Sequence, residues 1–116
     1  DDPLLYNTGS RDLSNGTTTL INRGDADAWP TLHLHGPHDA ITVTHPDGVY
    51  TYPALPATHY RTIDCRNGVV WGGATRMTST WTGSGVWPRV PAGGGEWTIT
   101  GLGAGVARLS RWEAWS

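Results

Sequence analysis

Residues 41–52 read ITVTHPDGVYTY and give the clearest local indication of the fold. Residues 41–44 alternate between apolar and polar side chains, and residues 49–52 are rich in β-branched and aromatic types. Alternation with a period of two is typical of a half-buried strand. Because Pro46-Asp47-Gly48 supplies a strong turn signal between the two segments, the stretch predicts a β-hairpin.

The same kind of pattern continues on both sides of this hairpin. Residues 17–22 and 31–35 alternate in the same way and predict two earlier strands. Residues 59–64 and 69–71 flank Asn67-Gly68, a pair that favours a tight turn with positive φ, so we predict a second hairpin there. Four more strands are predicted between turn signals, in segments 77–81, 86–90, 96–100 and 106–112.

The last of these segments has two interpretations. Residues 106–115 also fit a short helix through Val106, Leu109 and Trp112, and periodicity alone leaves both structures open. We prefer the strand because the rest of the chain indicates strands.

Length and composition indicate one all-β domain. The 116 residues suffice for a single core. They include 16 Gly and 8 Pro, and the longest stretches free of both, residues 57–67 and 106–116, leave little room for helices. We therefore predict a single antiparallel β-sandwich, galectin-like or jelly-roll-like, with roughly eight to ten strands over residues 15–116. Residues 1–14 are polar and weakly periodic, and we predict an N-terminal arm or linker there.

Charge and cysteine content exclude several classes of protein. The net charge is −2 and the eight arginines are dispersed, so no basic stripe indicates nucleic-acid binding. Cys65 is the single cysteine, which excludes an internal disulfide and cysteine-paired zinc sites. No apolar run approaches the roughly 18 residues of a membrane span, so we expect no membrane insertion. The chain begins Asp1-Asp2-Pro3 rather than with Met, which is compatible with a fragment or a processed piece of a longer protein.

One motif points to a metal. His33-Leu34-His35 is followed by His38 and Asp39, and residues i and i+2 of a strand project from one face, where both can ligate a metal. This spacing is also similar to the opening of the cupin metal motif, which makes a cupin-like metal-binding protein one alternative, with His33 and His35 as its ligands. The cupin pattern has Glu in place of Asp39, however, and a later Gly-Pro-Gly-His-like segment that is missing here. We prefer the interpretation that the leucines face the core and the histidines face solvent, and we predict no cofactor.

Other catalytic patterns are missing from the sequence. No Ser lies in a Gly-x-Ser-x-Gly elbow. We interpret Cys65 as a small, buried or half-buried apolar residue within a strand. The glycine runs 83–85 and 93–95 lack the Lys-Ser/Thr of a phosphate loop, and we interpret both as turns. A pair of carboxylates for glycoside hydrolysis could be drawn from five acids, Asp39, Asp47, Asp64, Glu96 and Glu113. We interpret them as solvated turn acids instead and predict no enzymatic activity.

The seven tryptophans support a second alternative, a stand-alone carbohydrate-binding module. Exposed Trp rings on a sandwich can stack against sugar rings, and Trp71, Trp81 and Trp87 are the candidate stacking residues. The chain has no Phe, however, so Trp must also serve as the large core aromatic. Core or strand-edge packing accounts equally for Trp29, Trp71, Trp87 and Trp97.

From Asn22 onward, over about four fifths of the chain, the order and spacing of several landmarks resemble the C-terminal domain of siphovirus-type phage minor (distal) tail proteins. The landmarks are Asn22-x-Gly24, Trp29-Pro30, Gly36-Pro37, residues 60–64, residues 66–70, Trp87-x-x-Val90-Pro91-x-Gly93 and Arg111-Trp112.

This resemblance implies a galectin-like or carbohydrate-module-like sandwich that decorates the ring at the distal end of the tail tube. The role it implies is structural, with other tail proteins of the virion as partners, a location in the virion tail after assembly in the host cytoplasm, and a contribution to host-surface attachment through a glycan. The family offers no catalytic residues to carry over. Its landmarks have structural tasks instead: Gly24, Gly36 and Gly68 permit turns, Pro30 and Pro37 end pairing, and Asp64 caps a turn.

Overall fold

The computed structural model describes residues 5–7 and 9–116, and it is nearly all strand. Every pair of neighbouring strands is antiparallel. The all-β prediction is therefore confirmed, although the described residues form thirteen strands rather than eight to ten. Three of them have only two residues each, too few to leave a periodic pattern. The strands are β1 Leu5–Tyr6, β2 Ser10–Leu13, β3 Gly16–Leu20, β4 Thr31–His35, β5 Ile41–His45, β6 Gly48–Tyr52, β7 Tyr60–Asp64, β8 Val69–Gly72, β9 Thr75–Arg76, β10 Thr82–Gly85, β11 Gly95–Thr100, β12 Val106–Ser110 and β13 Ala114–Trp115.

Two larger sheets pack face to face as a sandwich. One has five strands in the order β10-β6-β5-β11-β3, and the other has six in the order β2-β12-β4-β7-β8-β9. The short strands β1 and β13 pair with each other beside them. Buried side chains of both sheets form one core cluster, in which Trp97 and Tyr52 are the largest fully buried residues. The predicted single sandwich is thus confirmed.

The hairpin predicted at residues 41–52 is confirmed. Strands β5 and β6 pair from Ile41 with Tyr52 to His45 with Gly48, which leaves Pro46 and Asp47 as the loop. Alternate residues of both strands are buried against the other sheet, as the period-two pattern predicts.

The second predicted hairpin, β7 and β8, is confirmed as well. The Asp64 side chain closes its turn, because its Oδ1 accepts hydrogen bonds from the backbone N–H groups of Arg66 and Asn67, both at 3.1 Å. Gly68 has φ of 65°, as the Asn67-Gly68 signal indicates.

The strand predicted at residues 77–81 is wrong: Thr78–Thr80 is a single 3₁₀ turn. Threonine hydroxyls bond to nearby backbone there and compete with strand pairing. Thr80 Oγ1 lies 2.6 Å from the carbonyl oxygen of Met77, and Thr78 Oγ1 accepts a hydrogen bond from the backbone N–H of Val70 at 3.2 Å.

The turn predicted at residues 83–85 and the strand predicted at residues 86–90 are both wrong. Residues 83–85, interpreted as a turn, belong to strand β10, which pairs with β6. A Cβ atom at Gly83 would lie 2.1 Å from the Val49 carbonyl oxygen, so only glycine allows this close approach. Residues 86–90, predicted as a strand, contribute only an isolated bridge from Val90 to Ala28, because Pro88 has no N–H to donate to a ladder.

The C-terminal segment forms strands, so the helix alternative is wrong. Strand β12 covers Val106–Ser110 and β13 covers Ala114–Trp115. Between them Arg111 has φ of 64°, a left-handed conformation that interrupts the strand. No helix within residues 5–7 and 9–116 has the length and apolarity needed to cross a bilayer.

Part of the predicted N-terminal arm belongs to the sandwich. Ser10–Leu13 form β2, which pairs with β12 at the edge of the six-stranded sheet, and Leu13 is buried in the core. Residues 1–4 and 8 of the predicted arm lie outside the described residues.

Candidate functional site

The outer face of the six-stranded sheet carries a row of side chains that crosses all of its strands. Residues directly opposite each other on neighbouring strands project to the same side. The pairing therefore aligns one residue from each strand, and all six are exposed or half-buried. We call this set the outer row: Asp12, Arg108, His33, Thr62, Trp71 and Arg76.

A second, shorter row lies beside the outer row. Val106 pairs with His35, and His35 pairs with Tyr60. Tyr60 is 54% exposed and Val106 is 39% exposed. The His35 and Tyr60 rings are nearly parallel, with an interplanar angle of 12° and centroids 6.4 Å apart.

The two rows enclose a groove of about 320 Å³. Its volume falls within the range of small-molecule sites, which begins near 300 Å³. It lies open on the sheet surface, and aromatic, cationic and imidazole side chains meet in it. We call it the outer groove; its main lining residues are His33, His35, Tyr60, Arg61, Val106 and Arg108.

Hydrogen bonds hold the polar residues of this groove in place. Arg108 Nε donates to Asp12 Oδ1 at 2.8 Å, and His33 Nδ1 lies 3.4 Å from Thr62 Oγ1. Arg61 Nε donates to the Tyr52 hydroxyl at 2.8 Å. Partial desolvation and then the charge of Arg108 lower the pKa of His33 below its usual 6.5, so this imidazole is neutral at pH 7.

The predicted orientation of strand β4 is confirmed. Leu32 and Leu34 are 0% and 1% exposed, whereas His33 and His35 lie on the outer face. In the part of the chain that the structure describes, no group of three or more His, Cys, Asp or Glu side chains is arranged to hold a metal ion. His38 is buried, and its Nδ1 lies 2.6 Å from the Asp39 carbonyl oxygen. His35 Nδ1 lies 2.7 Å from the Gly36 carbonyl oxygen.

The three tryptophans predicted to stack on sugars occupy different environments. Trp71 belongs to the outer row and is 38% exposed. Trp81 is 4% exposed and stacks on Tyr50 with ring centroids 5.1 Å apart, so its ring offers no free face for a sugar. Trp87 is half-buried against the core.

Trp87 lines a different groove, of about 390 Å³, together with Trp29. The rings of Trp29 and Trp87, which line this second groove, already have partners within the protein. Arg89 lies over the Trp29 ring at 5.7 Å, and the Trp87 ring packs against Tyr50 with centroids 5.9 Å apart. The structure brings Trp81 and Trp87 into edge-to-face contact, with ring centroids 6.4 Å apart, but Trp71 lies apart from them in the outer row.

Two other groups considered for catalysis are buried. Cys65 is 4% exposed, and burial strongly raises the pKa of its thiol, which keeps it protonated and poorly nucleophilic. Glu113 is 2% exposed, so its interpretation as a solvated turn acid is wrong. It pairs with the largely exposed Arg23, and the other residues that line its groove include no second carboxylate.

Sequence reasoning missed Tyr60 and Arg108 as site residues. Alternation along β7 and β12 indicates that both side chains leave the core. They are 48 residues apart in the chain, however, and only the pairing of both strands with β4 brings them to one groove.

Comparison with protein-family models, with curated proteins and with solved structures finds no match to this chain. The functional interpretation therefore depends on the arrangement of its own residues and on the landmarks noted in the sequence.

Proposed function

We propose that this chain is a non-catalytic structural domain of a phage tail, of the kind that decorates the distal end of the tail tube. Its partners are then the other tail proteins of the virion, and its location is the virion tail. The confirmed β-sandwich supports the proposal only in general terms, because one fold hosts many functions. The more specific support comes from the landmarks that carry the resemblance.

Landmarks from distant parts of the sequence meet at one junction around Asn22, which is 1% exposed. Its Nδ2 donates to the carbonyl oxygens of Ala26 at 2.8 Å and Val90 at 3.1 Å. Its Oδ1 accepts from the backbone N–H groups of Gly24 at 3.0 Å and Ala114 at 3.2 Å. One amide thereby joins four backbone groups of three chain segments.

Two glycine landmarks complete this junction. The backbone N–H of Gly93 donates to the carbonyl oxygen of Asn22 at 3.0 Å. A Cβ atom at Gly24 would lie 1.7 Å from the carbonyl oxygen of Ala114, so the chain passes too closely there for any other residue. These residues act on backbone geometry and join the segment after β3 to the segment before β11 and to β13.

The convergence of these landmarks is the observation that carries the proposal. These landmarks fix the course of the backbone. A related domain with a structural role is expected to keep residues of this kind. Residues shared for catalysis would instead converge on an open pocket. We therefore interpret the resemblance as one of framework, with the role in the tail that it implies.

Immunogold electron microscopy of phage particles tests the proposal. An antiserum raised against the purified 116-residue chain is applied to particles induced from the strain that carries the gene. We expect gold label at the distal tip of the tail, and none on particles treated with antiserum preabsorbed on the purified chain. Label on the capsid, or virions that lack the polypeptide by mass spectrometry, would rule out the assignment.

A further inference from the structure

We propose that the outer groove binds a neutral glycan, with one pyranose ring placed against Tyr60 and its hydroxyl groups bonded to His33 and Arg108. This inference goes beyond the tail assignment and does not depend on it, because a sheet face binds a sugar through its own side chains. Three features of the groove lead to it: an exposed aromatic ring, an adjacent set of polar groups, and arginines that already have hydrogen-bond partners within the protein.

Tyr60 supplies the aromatic surface. Its side chain is 54% exposed, although it lies on a paired strand and its neighbour His35 runs nearly parallel to it. A tyrosine ring offers rigid contact area at a low cost in conformational entropy, because it has only two side-chain torsions. Pyranose rings present a face of C–H groups that packs against such a π surface.

The outer row supplies hydrogen-bonding groups beside that ring. His33 is one strand away from Thr62 on one side and from Arg108 on the other, and opposed residues have Cβ atoms about 5 Å apart. Neutral His33 has one donor and one acceptor, whereas arginine has donors only. Sugar hydroxyl groups both donate and accept, so adjacent hydroxyls of one ring can satisfy both residues.

The existing partners of the two arginines favour a neutral ligand. Arg108 is already paired with Asp12 through its Nε, and Arg61 donates its Nε to the Tyr52 hydroxyl and its Nη1 to the Tyr60 carbonyl oxygen, both at 2.8 Å. His33 is neutral at pH 7. No hydrogen bond within the described residues occupies the terminal nitrogens of Arg108, which lines the groove. These nitrogens can donate to sugar hydroxyls, while Asp12 offsets the charge of Arg108.

The distribution of apolar groups argues against a protein partner. Tyr60 and Val106 lie in one row and Trp71 in the next, with His33 and Thr62 between them. The face therefore has polar groups at its centre, whereas the core of a protein interface is depleted in charged residues and more apolar. A glycan needs this intermixed pattern because its own surface alternates between C–H and O–H groups.

Binding of the full 116-residue chain to an array of defined neutral and acidic oligosaccharides tests the proposal. The best neutral oligosaccharide is then titrated by calorimetry. We expect Tyr60→Ala and Arg108→Ala each to weaken its binding about tenfold or more. Val49→Ala is the control for truncation of an exposed side chain away from the groove: Val49 is 39% exposed and lies on β6 of the other sheet. We expect this control to bind within about twofold of the original chain.

Several outcomes would overturn the inference. They are no binding to any neutral oligosaccharide, equal binding by both outer-groove variants and the original chain, and loss of binding on Trp87→Ala instead. Binding to acidic sugars alone, abolished by salt, would point to charge rather than to a sugar site. Circular dichroism checks the fold of each variant. Amide chemical-shift changes confined to β4, β7 and β12 on adding the neutral oligosaccharide give a readout that needs no variant, and changes confined elsewhere would also refute the proposal.

Discussion

Arg23 Nε lies 2.6 Å from Glu113 Oε2, and this contact pairs a buried carboxylate with a guanidinium group. A second guanidinium nitrogen, Nη2, donates to Oε1 at 2.9 Å, and the backbone N–H of Arg23 donates to Oε2 at 3.1 Å. The arginine side chain is 76% exposed and the glutamate side chain 2%. The contact joins the segment after β3 to the residue before β13, next to the Asn22 junction.

The first prediction concerns the pH dependence of this contact. Hydrogen bonds from the Arg23 side chain lower the pKa of Glu113 below its usual 4.5, and burial opposes them only in part. A carboxylate with a lowered pKa stabilises the fold above its unfolded pKa, and this stabilisation is lost as the pH falls through the folded pKa. We expect Glu113→Gln to be less stable than the original chain at pH 7, with a difference that shrinks below pH 4.5.

Urea unfolding followed by Trp fluorescence at pH 7 and at about pH 3 measures this difference. Glu96→Gln is the matched control, because Glu96 is an exposed acid on β11. A difference for Glu113→Gln that stays constant across this range would contradict the assignment.

The second prediction concerns His45, which is 3% exposed on β5. Burial is the main cause that lowers the pKa of His45 below its usual 6.5; the charge of Asp47 opposes this shift and that of Arg89 adds to it. The folded chain therefore resists protonation of this ring more than the unfolded chain does. We expect stability to be full above pH 6.5 and to fall as the pH drops below that value.

The free energy of unfolding, measured in steps between about pH 5 and 8, tests this expectation. In His45→Asn part of the decline should disappear. His59→Asn, at an exposed position, should keep the original slope, and equal slopes in all three proteins would disprove the role of His45.

The third prediction concerns the Asn22 junction. Asn22→Ala removes a buried amide that makes four hydrogen bonds, and it leaves buried backbone groups without partners. We expect a loss of about 2–4 kcal/mol in the free energy of unfolding. Asn67→Ala, which removes an exposed amide bonded to Asp64, should cost about 1 kcal/mol or less. Chemical denaturation of the three proteins measures both losses. Equal losses for Asn22→Ala and Asn67→Ala would mean that the junction contributes no more to stability than an exposed amide does.

The fourth prediction compares two glycines. Gly24→Ala would bring Cβ to 1.7 Å from the Ala114 carbonyl oxygen, so the backbone must move, and we expect a loss of about 3 kcal/mol or more. Gly68 has open space around it but a φ of +65°, so Gly68→Ala should cost only about 1–2 kcal/mol of backbone strain. Thermal unfolding ranks the two, and a larger loss for Gly68→Ala would contradict the close packing at Gly24.

Local patterns predicted a substantial part of the fold. Both hairpins and the orientation of β4 follow from residues close together in sequence, because alternation reports which side of a strand meets solvent. Predictions failed where side chains or close contacts override local preference. The threonine hydroxyls at 78 and 80 favour a 3₁₀ turn, and Gly83 forms a strand because β6 approaches it closely.

Sequence patterns indicate only some of the residues of the candidate site. Three candidates from the sequence lie in the outer row or the outer groove: Trp71, His33 and His35. Arg108 belongs to no motif, and Tyr60 belongs only to the landmark at residues 60–64, which points to no ligand. The burial of Trp81 and Glu113 was likewise invisible, because neither alternation nor composition tells how neighbouring segments cover a side chain.

Residue order alone predicts the strand-rich character of this protein, its two tight hairpins and the direction in which the β4 side chains point. These properties depend on interactions within a few residues. Which strands become neighbours depends on the tertiary structure, and this choice assembles the outer row, the outer groove and the Asn22 junction. Such contacts join residues as far apart as Asn22 and Ala114, and they form only when burial of the common core compensates for the entropy of closing long loops.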